Sequence, residues 1–425
     1  MQPDWIYRTT IYEVNLRQYT KEGSFAAFRP HLPRLRDMGV ETLWFMPITP
    51  IAREEMKGSL GSPYACSDYT AVNPEFGSLD EFRDLVREAQ SMGFKVIIDW
   101  VANHTGWDHV WTKEHPEWYE QDPETGSFKR ASGMDDIIEL DYSNPDLRRA
   151  MTEAMKFWVR ECNIDGFRCD LASWVDVDYW LEAIPEVNRL KRLFWLAEAD
   201  ALDVPEYMQV FDAAYTWTWM HRSADWYRHH QPLTVLKDVL LRYDGAPGIP
   251  AWFTSNHDEN TWNGTEYEKY GDAALALAVH SITWKGLPLV YNGQELPNPK
   301  RLQFFEKDPI DWSGEPKLHE FYRKLLRLHL DHPALDARAD LFRLPTSADA
   351  NILAYLRKSE DAEVVVLLNL TAHHVRFDLK GSFPQGKFVD LFTEEQKALE
   401  SDRHFAFAPW QYSVLVREEK ERGSK

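Results

Sequence analysis

The feature that most constrains the fold is a unit that recurs along the chain: an amphipathic helix, a glycine-type stop, then a continuous apolar strand. In "SLDEFRDLVREAQSMGFKVIIDWV", Ser78 and Glu81 have capping-box spacing and Phe82, Leu85, Val86 and Ala89 form a helical stripe. Gly93 ends that helix and "KVIID" follows. The same order runs through "HLPRLRDMGVETLWFMP", where Gly39 is the stop, and "NPDLRRAMTEAMKFWVRECNIDGFRCD", where Pro145 opens the helix and Asn163 closes it. A further copy, "AALALAVHSITWKGLPLVYNG", stops at Gly286. Uniformly apolar strands separated by helices belong to a parallel sheet with both faces covered. Eight such strands are expected, at 11–16, 41–46, 95–100, 165–169, 193–197, 211–215, 251–255 and 287–291. The chain therefore predicts an α/β fold, a (β/α)8 TIM barrel. A doubly wound open sheet is the alternative, weakened by the lack of a glycine-rich phosphate loop after an early strand.

The grammar changes near residue 340. "NILAYLRKSEDAEVVVLLNLTAHHVRFDLKG" has short β-rich runs broken by turn residues and no helical period. This predicts a barrel domain over residues 1–342 and a C-terminal antiparallel β-sandwich domain over 343–425. A polar stretch at 105–140, rich in Trp, Asp, His and Gly, is longer than an ordinary loop after a third strand and is expected to be a functional excursion.

A chain of 425 residues suits one large barrel plus something smaller. The net charge of −20 argues against nucleic acid, because phosphate binding needs basic patches. Cys66, Cys162 and Cys169 are too few and too scattered for a disulfide framework or zinc ligand set, and are expected to be buried apolar side chains. No apolar run approaches the roughly 20 residues that span a bilayer, so no membrane partner is expected. The opening "MQPDWIYRTT" does not read as a signal peptide. A cytoplasmic location is expected, or a periplasmic or secreted one where a signal has been removed.

In a parallel barrel, chemistry sits at the C-terminal strand ends. Here those ends read "DWVANHT", "FRCDLAS", "LAEAD" and "FTSNHDEN". They supply Asp99, Asn103, His104, Arg168, Asp170, Glu198, His257 and Asp258. Polar groups of this kind are costly in a barrel mouth unless they pair or react. Strand alternation puts Arg168 and Asp170 on one face and Cys169 on the other. The guanidinium is expected to hold Asp170 in place and keep it ionised. Glu198, from the next strand, can face it. Two carboxyls in unlike surroundings, one anionic and one protonated, are what glycoside hydrolysis requires. The plain alternative is a set of buried ion pairs that stabilises the barrel.

These four segments resemble the four signature regions of the α-amylase family, glycoside hydrolase family 13. "DWVANH" is similar to its first region, "GFRCD" to its second, "AEAD" to its third and "SNHDEN" to its fourth. "SPYACSDYTAVNPEFG" resembles the family segment after strand two. The likeness extends over essentially the whole chain, with 105–140 as a short domain B. It implies that Asp170 is the nucleophile, Glu198 the acid/base, and Asp258 the carboxylate that binds sugar hydroxyls more tightly in the transition state. It implies that Arg168 positions Asp170, that His104 and His257 bond glucose hydroxyls, and that Tyr64 stacks on the sugar face. Asp99 either orders the mouth from behind or is a structural group.

The chain departs from the family after the nucleophile. A Lys-His pair common in α-amylases is replaced by "LASW", so Trp174 is expected as an aromatic platform there. Asn103 corresponds to a family calcium ligand, with Asp135 and Asp136 as candidate companions. No cofactor is expected for the chemistry, and a structural calcium is the one metal implied. The expected activity is retaining hydrolysis of α-1,4-glucosidic bonds in starch-like polysaccharides or maltooligosaccharides. An α-glucan transglycosylase or a neopullulanase- or cyclomaltodextrinase-like enzyme is the alternative, and a non-catalytic sugar-binding or scaffold protein is a remote one. Trp107, Trp111, Trp118 and Trp262 lie on loops near the expected mouth, and at most two of them are expected to stack sugars. His229-His230 and His373-His374 are expected to be solvated surface.

Overall fold

The computed structural model describes residues 4–400 and 403–418. Eight parallel strands close into a barrel. They are β1 (Ile11–Val14), β2 (Thr42–Phe45), β3 (Lys95–Trp100), β4 (Gly166–Cys169), β5 (Phe194–Asp200), β6 (Ala213–Tyr215), β7 (Ile249–Trp252) and β8 (Leu287–Tyr291). Each lies beside its chain neighbours, and β1 pairs with β8 to close the ring. All eight expected strands are present, with shifted ends. Residues 253–256 leave the β7 ladder and become loop, whereas β5 continues through Glu198 to Asp200.

The helices begin and end on the residues that local chemistry selects. Ser78 and Glu81 form a reciprocal capping box at the start of Leu79–Ser91, whose stripe Phe82, Leu85, Val86 and Ala89 is buried. Asn163 adopts a left-handed conformation (φ 52°) just after Pro145–Cys162, the geometry that lets the chain turn back into a strand. Gly166 has a different reason. A Cβ there would lie 2.1 Å from the Phe194 carbonyl oxygen, so a side chain would force β4 and β5 apart.

The C-terminal region is antiparallel: β9 (Asp340–Arg343), β10 (Ile352–Ser359), β11 (Ala362–Asn369), β12 (Val375–Asp378), β13 (Lys387–Asp390), β14 (Gln396–Ala398), β15 (His404–Phe407) and β16 (Tyr412–Arg417). Six of these form one sheet in the order β9-β10-β11-β16-β13-β14, and β12 pairs with β15 as a second layer. Val375, Phe377, Phe405 and Phe407 of the two-stranded layer share a core with Ile352, Val365 and Leu415 of the large sheet. The sandwich is therefore lopsided, and its sheet starts at Asp340. Its other face docks on the barrel through Arg357, which donates to the carbonyls of Thr283, Trp284 and Asp336 at 2.8–3.0 Å.

Between β3 and β4 the chain makes its excursion, tied to the barrel by a short ribbon pairing His104–Thr105 with Ile138–Glu139. Trp111 and Trp118 meet edge to face at 5.0 Å within it, and His115 stacks on Trp118 at 3.9 Å. All three cysteines are free and buried. Among the described residues no helix is long and apolar enough to cross a membrane.

Candidate active site

The barrel register determines which side chains meet. β3 and β4 pair Asp99 with Arg168, and β4 and β5 pair Cys169 with Ala197. One step further along, Asp170 and Glu198 come side by side. Glu198 also lies in an irregularity: the register between β5 and β6 shifts between Ala197 and Asp200. A bulge of this kind re-aims a side chain at the end of a strand.

Arg168 is the hub and is fully buried. Its Nη1 donates to Asp99 Oδ1 at 2.9 Å and to Asp170 Oδ1 at 2.8 Å. Its Nη2 faces Glu198 Oε2 at 2.9 Å, an electrostatic contact without directed hydrogen-bond geometry. Its plane packs 4.9 Å from the Trp44 ring and 5.4 Å from that of Tyr215. Asp99 Oδ2 accepts from Trp44 Nε1 at 3.1 Å and from the Tyr64 hydroxyl at 2.9 Å. Asp99 is thus tied to Trp44, Tyr64 and Arg168 together.

Asp170 Oδ1 and Glu198 Oε2 are claimed by Arg168, and Glu198 Oε2 also accepts from the Leu171 backbone N–H at 2.8 Å. Asp170 Oδ2 and Glu198 Oε1 have no protein partner among the described residues. Each carboxyl is therefore held by one oxygen and open at the other. Burial pushes Asp170 up to about 6, outweighing the Arg168 charge that favours its ionised form. A fully desolvated carboxyl beside further carboxylates loses more than one guanidinium returns, so Asp170 ionises at a higher pH than a free carboxyl does. Burial pushes Glu198 higher, to about 7, with the Asp170 and Asp258 charges adding to it. The two carboxyls are thus set apart in the order acid–base work requires, Glu198 holding its proton longer.

His257 bridges Glu13, whose Oε1 lies 2.5 Å from Nδ1, and Asp258, whose Oδ2 lies 3.3 Å from Nε2. Burial alone would lower its basicity, but the Asp258 and Glu13 carboxylates reverse this and hold it up at about 9. The Tyr64 ring stacks on the His257 ring at 5.2 Å. His104 is held low, at about 4, by burial, and its Nε2 is buried without a hydrogen-bond partner among the described residues. Buried polar atoms left open at a mouth are what a polyhydroxyl ligand would complete.

Residues 15–125 and 116–220 match the family described as alpha amylase, catalytic domain, and residues 342–414 match the one described as maltogenic amylase, C-terminal domain. The chain belongs to the α-amylase family of glycoside hydrolases. An alpha-1,4-glucan:maltose-1-phosphate maltosyltransferase from Rhodospirillum rubrum is 31% identical over an alignment 400 positions long that covers 85% of this chain and 57% of that protein. This chain thus spans little more than half of that relative's length. An alpha-amylase structure from Lactobacillus plantarum superimposes with a TM-score of 0.87 at 27% identity, covering 98% of this chain and all of that one. A maltogenic alpha-amylase structure from Thermotoga neapolitana gives 0.85 at 28% identity, covering 97% of each.

The calcium that the α-amylase family implies does not fit the residues present. The Asn103 amide is 3.2 Å from His104 Nδ1. Asp136 is buried and pairs with the Lys57 ammonium at 2.8 Å, and Asp135 faces Arg130 at 3.3 Å. Calcium takes 6–8 oxygens, and among the described residues no group of three or more acidic, His or Cys side chains is placed to hold a metal. A lysine stands beside the carboxylate that a cation would need.

The remaining α-amylase-like positions divide. Trp174 is 49% exposed on the turn that follows β4. Trp111 and Trp118 pack inside the excursion, while Trp107 donates to the Asp135 carbonyl at 2.7 Å. Trp262 is exposed at the mouth, against Phe304. The paired histidines 229–230 and 373–374 are exposed. Sequence reasoning missed Glu13, Trp44, Tyr215, Leu171 and Phe304. Glu13 had a readable signal, a lone carboxylate inside the apolar run "IYEV".

Proposed function

We propose that the chain is a retaining glycosidase that cleaves α-1,4-glucosidic bonds in starch-like polysaccharides or maltooligosaccharides. The observation that carries this is Arg168 holding Asp170 and Glu198 by one oxygen each, with Glu198 the more easily protonated. The open oxygen of Asp170 attacks the anomeric carbon while the glycosidic C–O bond breaks. Glu198 passes its proton to the departing oxygen, which avoids expelling an alkoxide. Glu198, now ionised, takes a proton from water, and the water oxygen displaces Asp170 from the anomeric carbon. Asp258 and the charged His257 bind hydroxyls of the reacting sugar, Tyr64 lies against its face, and His104 offers its open nitrogen. Trp174 serves the departing side. The chemistry belongs to the barrel, with 105–140 as a short domain B, and the antiparallel strands from Asp340 onward belong to the C-terminal domain.

Starch, maltotriose, pullulan and cyclodextrin digested side by side test this reading, with Asp170→Asn as the control. Hydrolysis by the wild type, abolished in the variant, supports it, and no activity on any α-glucan overturns it. A second reading, transfer of the glycosyl unit to another sugar, is favoured by the 31% likeness to a maltosyltransferase. Products longer than the substrate, at high maltooligosaccharide concentration, would establish it.

A further inference from the structure

We infer that Phe304 and Trp262 form an aromatic platform that binds a further glucosyl unit, on the side of Tyr64 away from the departing sugar. This extends the hydrolase reading above and rests on it for the placement of the reacting sugar.

Tyr64 lies nearly parallel to Phe304, with ring centres 6.1 Å apart and planes 19° apart. Phe304 meets Trp262 at 5.4 Å with planes 39° apart. Exposure rises along the row: Tyr64 is 8% exposed, Phe304 is half-buried and Trp262 is 53% exposed. The row therefore leads from the carboxyls to solvent. An exposed tryptophan on a loop is unremarkable by itself, but this one is held in place. Trp262 sits in the irregular helical turn Glu259–Asn263, immediately after His257 and Asp258. Asn260 Oδ1 accepts from the Leu302 backbone N–H at 2.8 Å, and Thr261 donates to the Leu302 carbonyl at 2.8 Å. Asn260 also donates to the Lys300 carbonyl at 3.1 Å. The two loops that carry the rings are thus clamped together beside the rings.

Sugars present apolar C–H faces and polar rims, so rigid aromatic faces bind them with little ordering cost. The direction follows from the barrel order. Trp174 follows β4, while Trp262 and Phe304 follow β7 and β8, across the ring. A glucan lying over Asp170 and Glu198 therefore has Trp174 on one side and the Phe304–Trp262 pair on the other.

The test uses 4-nitrophenyl α-glycosides with one to four glucosyl units and follows nitrophenol release, so that length varies only on the non-departing side. In the wild type kcat/KM should rise with length. Trp262→Ala and Phe304→Ala should lower it by about tenfold for the longer glycosides and by less than about twofold for the glucoside, and Trp262→Phe should restore it. Equal loss at every length, or no loss, overturns the inference. If the wild type cleaves none of them, the hydrolase reading fails separately. The platform is then judged by maltotetraose binding in a calorimeter: weaker binding by Trp262→Ala than by wild type supports it, and equal affinity overturns it.

Discussion

Leu171 presents its backbone N–H to Glu198 Oε2 at 2.8 Å from a left-handed conformation, φ 40° and ψ 46°. Leucine adopts that region at a cost of about 1–2 kcal/mol, and such strain persists where the surroundings enforce it. The residue directly after Asp170 therefore links the two carboxyls through the main chain. Leu171→Gly accepts the conformation freely and should keep kcat within about twofold. Leu171→Val resists it. It should lower kcat by about tenfold and move the alkaline limb of the rate profile upward, because the lost N–H favours ionised Glu198. Identical pH–rate profiles for the valine variant and wild type would remove Leu171 from the mechanism.

The pH dependence should be a narrow bell. Asp170, at about 6, must lose its proton to attack, so kcat/KM should rise through that pH. Glu198, at about 7, must keep its proton to release the departing sugar, so activity should fall above it. Initial rates from pH 4 to 10 check this. An alkaline limb near pH 9 would assign the proton donor elsewhere, with His257 as the candidate.

The same groups lower stability at neutral pH. Both have folded values above their ordinary 3.8 and 4.5, so the folded chain binds more protons than the unfolded one between those limits. Their cost is absent below about pH 4, grows as pH rises, and is complete above about 7. Asp170→Asn and Glu198→Gln should each raise unfolding free energy by about 1–2 kcal/mol at pH 8, with no gain at pH 4. Denaturant melts at the two pH values check it.

Chelation should leave the protein unchanged. Asp136 is neutralised by Lys57 at 2.8 Å, so EDTA should shift neither the melting temperature nor the rate. Lys57→Met leaves a buried carboxylate without its partner and should cost about 1–3 kcal/mol, with the lysine's partial exposure keeping the figure at that level. A melting temperature that falls on chelation would show that a metal is bound after all.

Much of this protein is determined by local rules visible in its sequence. The capping box at Ser78 and Glu81, the left-handed stop at Asn163 and the buried apolar strands each follow from neighbours within a few residues. Their repetition specifies a barrel, and strand alternation puts Arg168 and Asp170 on one face. Long-range registry decided the rest. Glu13 and His257 are 244 residues apart and meet only because β1 closes the ring beside β8. Phe304 joins Tyr64 and Trp262 for the same reason: three loops from different strands converge on one mouth. Protonation also belongs to this level. A carboxyl's acidity depends on the water that the fold removes and the charges it gathers, and here desolvation outweighed the arginine two residues away. Sequence spacing selects the candidate carboxyls, and only the closed barrel sets which of them holds its proton longer.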